Sequence, residues 1–380
     1  MFNNFKNIFS NNGGLVNIAS SSIVGYAALG IFWFFLAGHL GPAVYGELTY
    51  LFAIAIVIIS LSTSGLQNGI IVFSSKEPKT VNSFFTLGFI VSVVVSITSF
   101  IVFSSVEISL LIIGSTFFGL YAHSILGKKQ YQTFSILTVL QKSLSIFFGL
   151  IFYYLFGIEG ILFGFAISYL LLSKGIYELI LKRNFDLSQI RPKFKFIIHN
   201  SISESTHNFV WWSDRFLILP LFGFGFLGNY QLGIHILQMA TIFPLIFYQY
   251  LVPHDAAGTV NNKIRILAIL ISIIISAFLF IFGPYIVENL FPDYTLSSKL
   301  IRIFSLTLIP ITINLLFSSY FLGKQKPKIL AISNLLLLSL QLFLVYVFGT
   351  WFGSAGLPYA LLISFSAQTV FFCIIKICRK

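Results

Sequence analysis

The residues that could do chemistry cluster in one otherwise apolar stretch. Between positions 197 and 221, Asn200, Glu204, Asn208, Trp211 and Arg215 recur at +4, +4, +3 and +4. That spacing puts them on one face of an α-helix, with Ser203, His207 and Asp214 on the adjoining strip. An ionisable group inside a membrane span costs about 2.5–3.5 kcal/mol on insertion scales, so it turns to a cavity or to a partner. The face is therefore either the lining of a water-accessible cavity or a buried network in which Glu204 and Asp214 pair with cations. Lys142 and Lys174 are the next candidates, each about 12–15 Å in from the nearer span end at 1.5 Å per residue. Either they offer positive charge to an anion, or their stems carry the ammonium groups back toward the headgroups. Glu178, one turn after Lys174, is also placed to pair with it. His123 and His235 stand alone in their spans and read as hydrogen-bonded packing residues.

Enzymatic signatures are missing. The chain has no phosphate-binding Walker loop, no dinucleotide glycine fingerprint and no HExxH. Its longest polar connection, 182–195, holds a single acid, Asp186, so paired carboxylates in a loop domain are also absent. No catalytic residue and no cofactor is expected. Cys373 and Cys378 have no His or Cys at ligand spacing, which leaves no metal site or disulfide framework. A net charge of +12 suggests nucleic acid only until its placement is considered, because the basic residues sit in small clusters between apolar runs. The 45 Phe and 17 Tyr have no basic groove beside them in which to stack bases.

The elements that position these residues are membrane spans. Of 380 residues, 57% are hydrophobic and only 9% charged, against about 25% charged in a soluble domain. Apolar runs of roughly 20 residues match the length a helix needs to cross a bilayer, and the alternation of a β-barrel is absent. Twelve spans are expected near 15–38, 47–72, 81–104, 107–126, 133–156, 160–181, 197–221, 230–252, 264–288, 298–322, 328–349 and 356–376. The first, from Leu15, is too long for a signal-peptide core and reads as an uncleaved span. Most of the 23 basic residues fall at alternate connections, including Lys128, Lys129, Lys193, Lys324, Lys326 and Lys376. The opposite connections carry only Lys299 and Arg302, at a span start, along with acids such as Glu107, Glu159, Glu288 and Asp293. The positive-inside rule then puts both termini in the cytoplasm, in a multi-pass protein of the cell membrane.

The two halves of the chain repeat. Leu126-Gly127-Lys128 matches Leu322-Gly323-Lys324 at an offset of 196, and so do Phe156-Gly157-x2-Gly160 with Phe352-Gly353-x2-Gly356 and Ile167-Ser168 with Ile363-Ser364. Gly41-x4-Gly46 matches Gly223-x4-Gly228 at an offset of 182. A repeat after six spans preserves topology, so the halves should be related by a pseudo-twofold axis along the membrane normal. The expected organisation is a six-helix bundle over 1–181, a cytoplasmic linker over 182–196 and a second six-helix bundle over 197–380, with a cavity between the bundles.

The stretch Leu40-Gly41-Pro42-Ala43-Val44-Tyr45-Gly46, followed by Leu48-Thr49-Tyr50, resembles the first-loop motif of the polysaccharide, O-antigen-type (Wzx-like) flippases. Asp214-Arg215-Phe216 followed by Gly223-x4-Gly228-Asn229-Tyr230 resembles their seventh-span motif. These proteins belong to the superfamily that also holds the MATE exporters and the lipid II flippases. The resemblance implies an all-α, MATE-like fold and translocation of a polyprenyl-diphosphate-linked oligosaccharide by alternating access. Its partners would be the lipid-linked glycan, membrane lipids, and H+ or Na+ as coupling ion. Lys142, Lys174 and Arg215 would then draw in the diphosphate. Glu204, His207, Asn208 and Asp214, with Trp211 on the same face, would meet the sugars or the ion. The first span departs from the lipid II flippases, offering Asn17 and Ser20 to Ser22 where they carry a basic residue. Two other readings stay open: a MATE-like exporter of amphipathic cations that uses the acids, and a membrane-integral glycan transferase or scaffold.

Overall fold

A computed structural model describes residues 13–73, 78–173, 187–256, 262–324 and 326–378. The described residues are helical almost throughout and include no strand. Helix α1 runs over Gly13–Phe73, α2 over Pro78–Phe103, α3 over Val106–Gly127, α4 over Tyr131–Phe156 and α5 over Ile158–Leu172. A short α6 (Leu187–Ile190) leads to α7 (Phe194–Trp212), α8 (Arg215–Ala256), α9 (Asn262–Leu290), α10 (Ser297–Gly323), α11 (Pro327–Phe352) and α12 (Leu357–Cys378). Lys174, Glu178 and residues 182–186 of the expected 182–196 linker lie outside the described residues, and the rest of that linker is helical.

Helix α1 has 61 residues, about 90 Å at 1.5 Å per residue, and the hydrocarbon core is about 30 Å thick. It therefore holds two spans, jointed at Gly41 (φ 72, ψ 169). Only glycine adopts such a backbone without strain, and Pro42 fits the first position of the second arm because its missing N–H is not needed there. The sequence suggests a connecting loop over residues 39–46, and the structure compresses it to one residue. Helix α8 repeats the device at Gly223 (φ 77, ψ 176). The 196-residue offset is equally visible in the backbone. Gly157 (φ 70, ψ −149) ends α4 as Gly353 (φ 63, ψ −153) ends α11. Lys128 and Lys324 cap α3 and α10 with nearly equal angles, φ −81 and ψ 4 against φ −83 and ψ 8.

By packing, the chain forms two compact units, one of Met1–Leu29 with Leu51–Asn208 and one of Gly30–Tyr50 with Phe209–Lys380. In the first, α5 packs against α3 and α4, and α2 against α3. A Cβ on Gly164 would come within 2.5 Å of the Gly149 nitrogen, the close approach that small residues allow between membrane helices. Buried hydroxyls bridge the helices: Ser96 donates to the Ser109 carbonyl at 2.9 Å, and Ser109 donates back to that of Ser96 at 3.2 Å. In the second unit α10 packs against α8, α9 and α12. Helix α9 shows why lipid is the outer solvent: Ile266, Leu270, Ile274 and Ile281 are exposed, while Ala268, Ser272, Ser276 and Gly283 are buried. The Thr312 hydroxyl meets that of Ser272 at 2.7 Å, and the Ser276 hydroxyl donates to the Ser305 carbonyl. The chain is an all-α, multi-pass membrane protein.

Within the second unit, the two six-residue glycine motifs pack against each other. A Cβ on Gly46 would collide with the Phe224 carbonyl oxygen, and a Cβ on Gly228 with that of Pro42. Position 42 corresponds to 224, and 46 to 228, under the 182-residue offset. A contact that maps onto itself when its partners are exchanged is the mark of a local twofold axis.

Candidate functional site in the seventh span

The seventh span is broken, where the sequence suggests a continuous helix over 197–221. Helix α7 stops at Trp212, Ser213 and Asp214 form a turn, and α8 starts at Arg215. The Ser213 N–H still bonds back to the Phe209 carbonyl at 2.9 Å, and the Asp214 carbonyl accepts the N–H groups of Leu217 and Ile218 at 3.0 and 2.9 Å. Asp214 thus opens a new helix. Short polar side chains favour such an end over a helix interior because they compete for backbone partners.

Asp214 and Arg215 are 2% and 0% exposed. One Asp214 oxygen accepts from Arg215 Nη1 at 3.0 Å and the other from the Tyr230 hydroxyl at 2.7 Å. Arg215 Nη1 also donates to the Trp211 carbonyl, and the guanidinium lies 4.3 Å from the Trp212 ring centre. Its Nε and Nη2 have no hydrogen-bond partner among the described residues. The sequence suggests that Arg215 faces a cavity. In the structure the fork is instead enclosed and paired, the burial of its charge being offset by the adjacent carboxylate. At 214–215 the buried pair, one of the two readings of this face, is the arrangement observed.

A second group of polar side chains lies within electrostatic reach of Arg215. Tyr45 bonds to His235 Nδ1, and His235 Nε2 meets Gln231 at 2.8 Å. Trp33 lies over the imidazole with ring centres 5.2 Å apart, and Tyr294 stacks edge-on to Tyr45 while donating to the Ala37 carbonyl at 2.7 Å. The motif after Gly223 now divides into separate tasks. Gly228 permits the close contact, Asn229 caps α10, and Tyr230 holds Asp214. Asn229 caps by accepting the Leu296 and Ser297 N–H groups, each at 3.1 Å.

The remaining candidates are spread along several elements. On α7, Trp211 packs against Phe365 with ring centres 5.7 Å apart, and Asn208 is half-buried. Glu204 and His207 lie on the same helix. Lys142 belongs to the first unit. Its stem covers Gly25, where a Cβ would come 2.6 Å from Lys142 Cδ, and its ammonium lies 3.6 Å above the Tyr26 ring centre. It has no acidic partner among the described residues. His123 bonds to the Gly119 carbonyl at 2.6 Å. No cluster of three metal-ligating side chains occurs among the described residues.

One polar cluster escapes sequence reasoning. Asn314 donates to Gln368 at 2.9 Å, Gln368 to Asn334 at 3.1 Å, and Thr369 to Asn314 at 2.7 Å, which ties α10, α11 and α12 together. Neutral amides scattered over three helices give no charge signal and no shared periodicity.

Known proteins show the same architecture. The lipid II flippase MurJ in its inward closed conformation superimposes with a TM-score of 0.74 at 14% identity, over 94% of this chain and 87% of its own. An inward-facing multidrug resistance MATE transporter of the MOP superfamily gives 0.70 at 18% identity, over 96% and 97%. A MOP superfamily transporter from Pyrococcus furiosus, described as having a binding pocket of reverse polarity, gives 0.64 at 16%, over 96% and 95%. The fold is MATE-like. The family model of the lipid II flippase MurJ matches residues 230–379, and no curated protein sequence matches the chain. The matched stretch contains Tyr230, His235 and the Asn314 cluster, while Lys142, Asp214 and Arg215 precede it.

Proposed function

We propose that this chain is a flippase that moves a polyprenyl-diphosphate-linked oligosaccharide across the cytoplasmic membrane by alternating access. The observation that carries the reading is the state of its intramembrane charges. Asp214, one of the two acids a cation exporter would use beside Glu204, is held by Arg215 and Tyr230. Lys142 holds its charge half-buried over an aromatic ring with no described acid to neutralise it. An unspent cation in a partly dehydrated setting suits a diphosphate. The flippase match over residues 230–379 and the MATE-like fold support a transporter and not an enzyme. In this reading Lys142 and Lys174 engage the diphosphate, while Glu204, His207, Asn208 and Trp211 meet the sugars. The prenyl tail stays in lipid. H+ or Na+ acts at Asp214 by competing with Arg215 and Tyr230 for its carboxylate, which loosens its hold on Arg215.

The test is flipping of a defined polyprenyl-diphosphate sugar by chain reconstituted in liposomes. Hydrogen bonds to charged groups are worth about 1.5–3 kcal/mol, so Lys142→Gln should lower flipping per folded molecule by about tenfold to a hundredfold. Lys142→Arg should retain most of it. Transport of amphipathic cations, with none of the lipid diphosphate, would support the exporter instead.

Orientation is tested separately. Single cysteines at positions 128, 193 and 326 should stay protected from an impermeant thiol reagent added outside intact cells, and cysteines at 107 and 293 should label. Labelling of the first three from outside would reverse the assignment of both termini to the cytoplasm.

A further inference from the structure

At the lysine-rich end of the second unit, cations from separate helices converge on one ring. Tyr320, near the end of α10, rests on the cluster of Phe321, Ile329 and Phe372, so its ring is held in place. Lys324 Nζ lies 4.7 Å from the ring centre. Lys376 Nζ reaches the same ring from α12, 5.1 Å from its centre, and Lys326 adds its field to the hydroxyl. The acid of this end among the described residues, Asp255, is already used. Both its oxygens take Arg265 Nη2, at 2.6 and 2.7 Å, and one also takes the Ser319 hydroxyl. Lysines that only set topology repel one another and point apart into the headgroup layer. Here two ammonium groups are gathered with no described carboxylate to balance them.

We infer that Tyr320, Lys324 and Lys376 form a binding site for the phosphodiester of an anionic phospholipid. Lysine ammonium groups bind phosphate as point charges, and the Tyr320 hydroxyl adds a donor of fixed position. Basic pockets among span ends are where anionic headgroups dock. Apolar surface for the acyl chains adjoins the site: Ile374 and Ile377 on α12 and Leu322 on α10 are 55%, 73% and 38% exposed. That surface favours a lipid over a free anion. The inference uses no residue of the proposed transport path and stands whatever the chain carries.

The experiment measures thermal unfolding of the purified full chain in micelles doped with phosphatidylglycerol, phosphatidylcholine or, in lipid-free micelles, inorganic phosphate. Phosphatidylglycerol should raise the midpoint of the wild type, and phosphatidylcholine and inorganic phosphate should not. A basic residue near an anionic lipid contributes about fivefold in affinity, so Lys324→Gln with Lys376→Gln should weaken the phosphatidylglycerol response about tenfold or more. Lys128→Gln with Lys129→Gln removes two charges from the other unit and should leave the response intact. Tyr320→Phe keeps the ring, loses the hydroxyl and should weaken the response by itself, which keeps the test valid if the double variant folds poorly. An undiminished response in the Lys324/Lys376 variant, or in Tyr320→Phe should that variant not fold, would overturn the site. An equal loss in the Lys128/Lys129 variant would replace it with a general effect of charge. A full response to inorganic phosphate would show a free-anion site and overturn the lipid assignment.

Discussion

Gly228→Ala is expected to yield little folded protein, because the new methyl group would fall on the Pro42 carbonyl oxygen. That obstacle is backbone in the second arm of α1 and has no rotamer to move. Overpacking usually costs about 1–3 kcal/mol and more where nothing can yield, which is a large share of the roughly 5–15 kcal/mol that holds a domain folded. Gly46→Ala should behave alike, since its Cβ would strike the Phe224 carbonyl. The informative control is Gly225→Ala. Gly225 lies three positions from Gly228 in the same helix, and a Cβ there meets nothing within 4 Å. It should be neutral or stabilise by about 0.5–1 kcal/mol through the lower entropy of the unfolded chain. Monodisperse yield and thermal midpoint in detergent check both. Wild-type stability of Gly228→Ala would mean that the two motifs do not pack as described.

The second large effect is expected at the buried ion pair. Asp214→Asn leaves the Arg215 charge enclosed with no counter-ion, and breaking a buried pair in this way costs about 3–5 kcal/mol. The yield of folded Asp214→Asn should fall sharply. Combining it with Arg215→Met removes both charges and should recover most of the loss, since apolar replacement of a whole buried pair is often neutral. Transport by the recovered double variant then separates structure from coupling. The expected result is a folded protein whose flipping no longer responds to an imposed H+ or Na+ gradient. A normal gradient response would leave Asp214 a packing role only.

The residues differ in how plainly the sequence announces them. Spans and the repeat are legible because lipid enforces long apolar helices and because positive φ selects glycine at matching positions, as at Gly41, Gly157, Gly223 and Gly353. That Asn200, Glu204, Asn208 and Trp211 share one helix is legible from their helical period. What the polar stretch does at Asp214 and Arg215 is not, because the answer depends on Tyr230, 16 positions away, and on a helix break that periodicity does not register. Tyr45 and His235 are 190 positions apart, a distance over which no local pattern reports a hydrogen bond. The Asn314 cluster is hidden for a different reason: uncharged amides satisfied by one another leave no imbalance of charge to notice.

The unit that holds Asp214 is not encoded in one uninterrupted piece of the chain, since it includes residues 30–50 from near the N-terminus. This governs how the gene can be cut. A fragment starting after residue 182 would carry His235, Gly228 and Tyr294 but would lack Tyr45, Gly46 and Ala37, which they contact. Buried groups would be left without hydrogen bonds, and a groove would lie open where residues 30–50 belong. The two halves of the sequence can be compared as repeats, but they cannot be treated as separable modules.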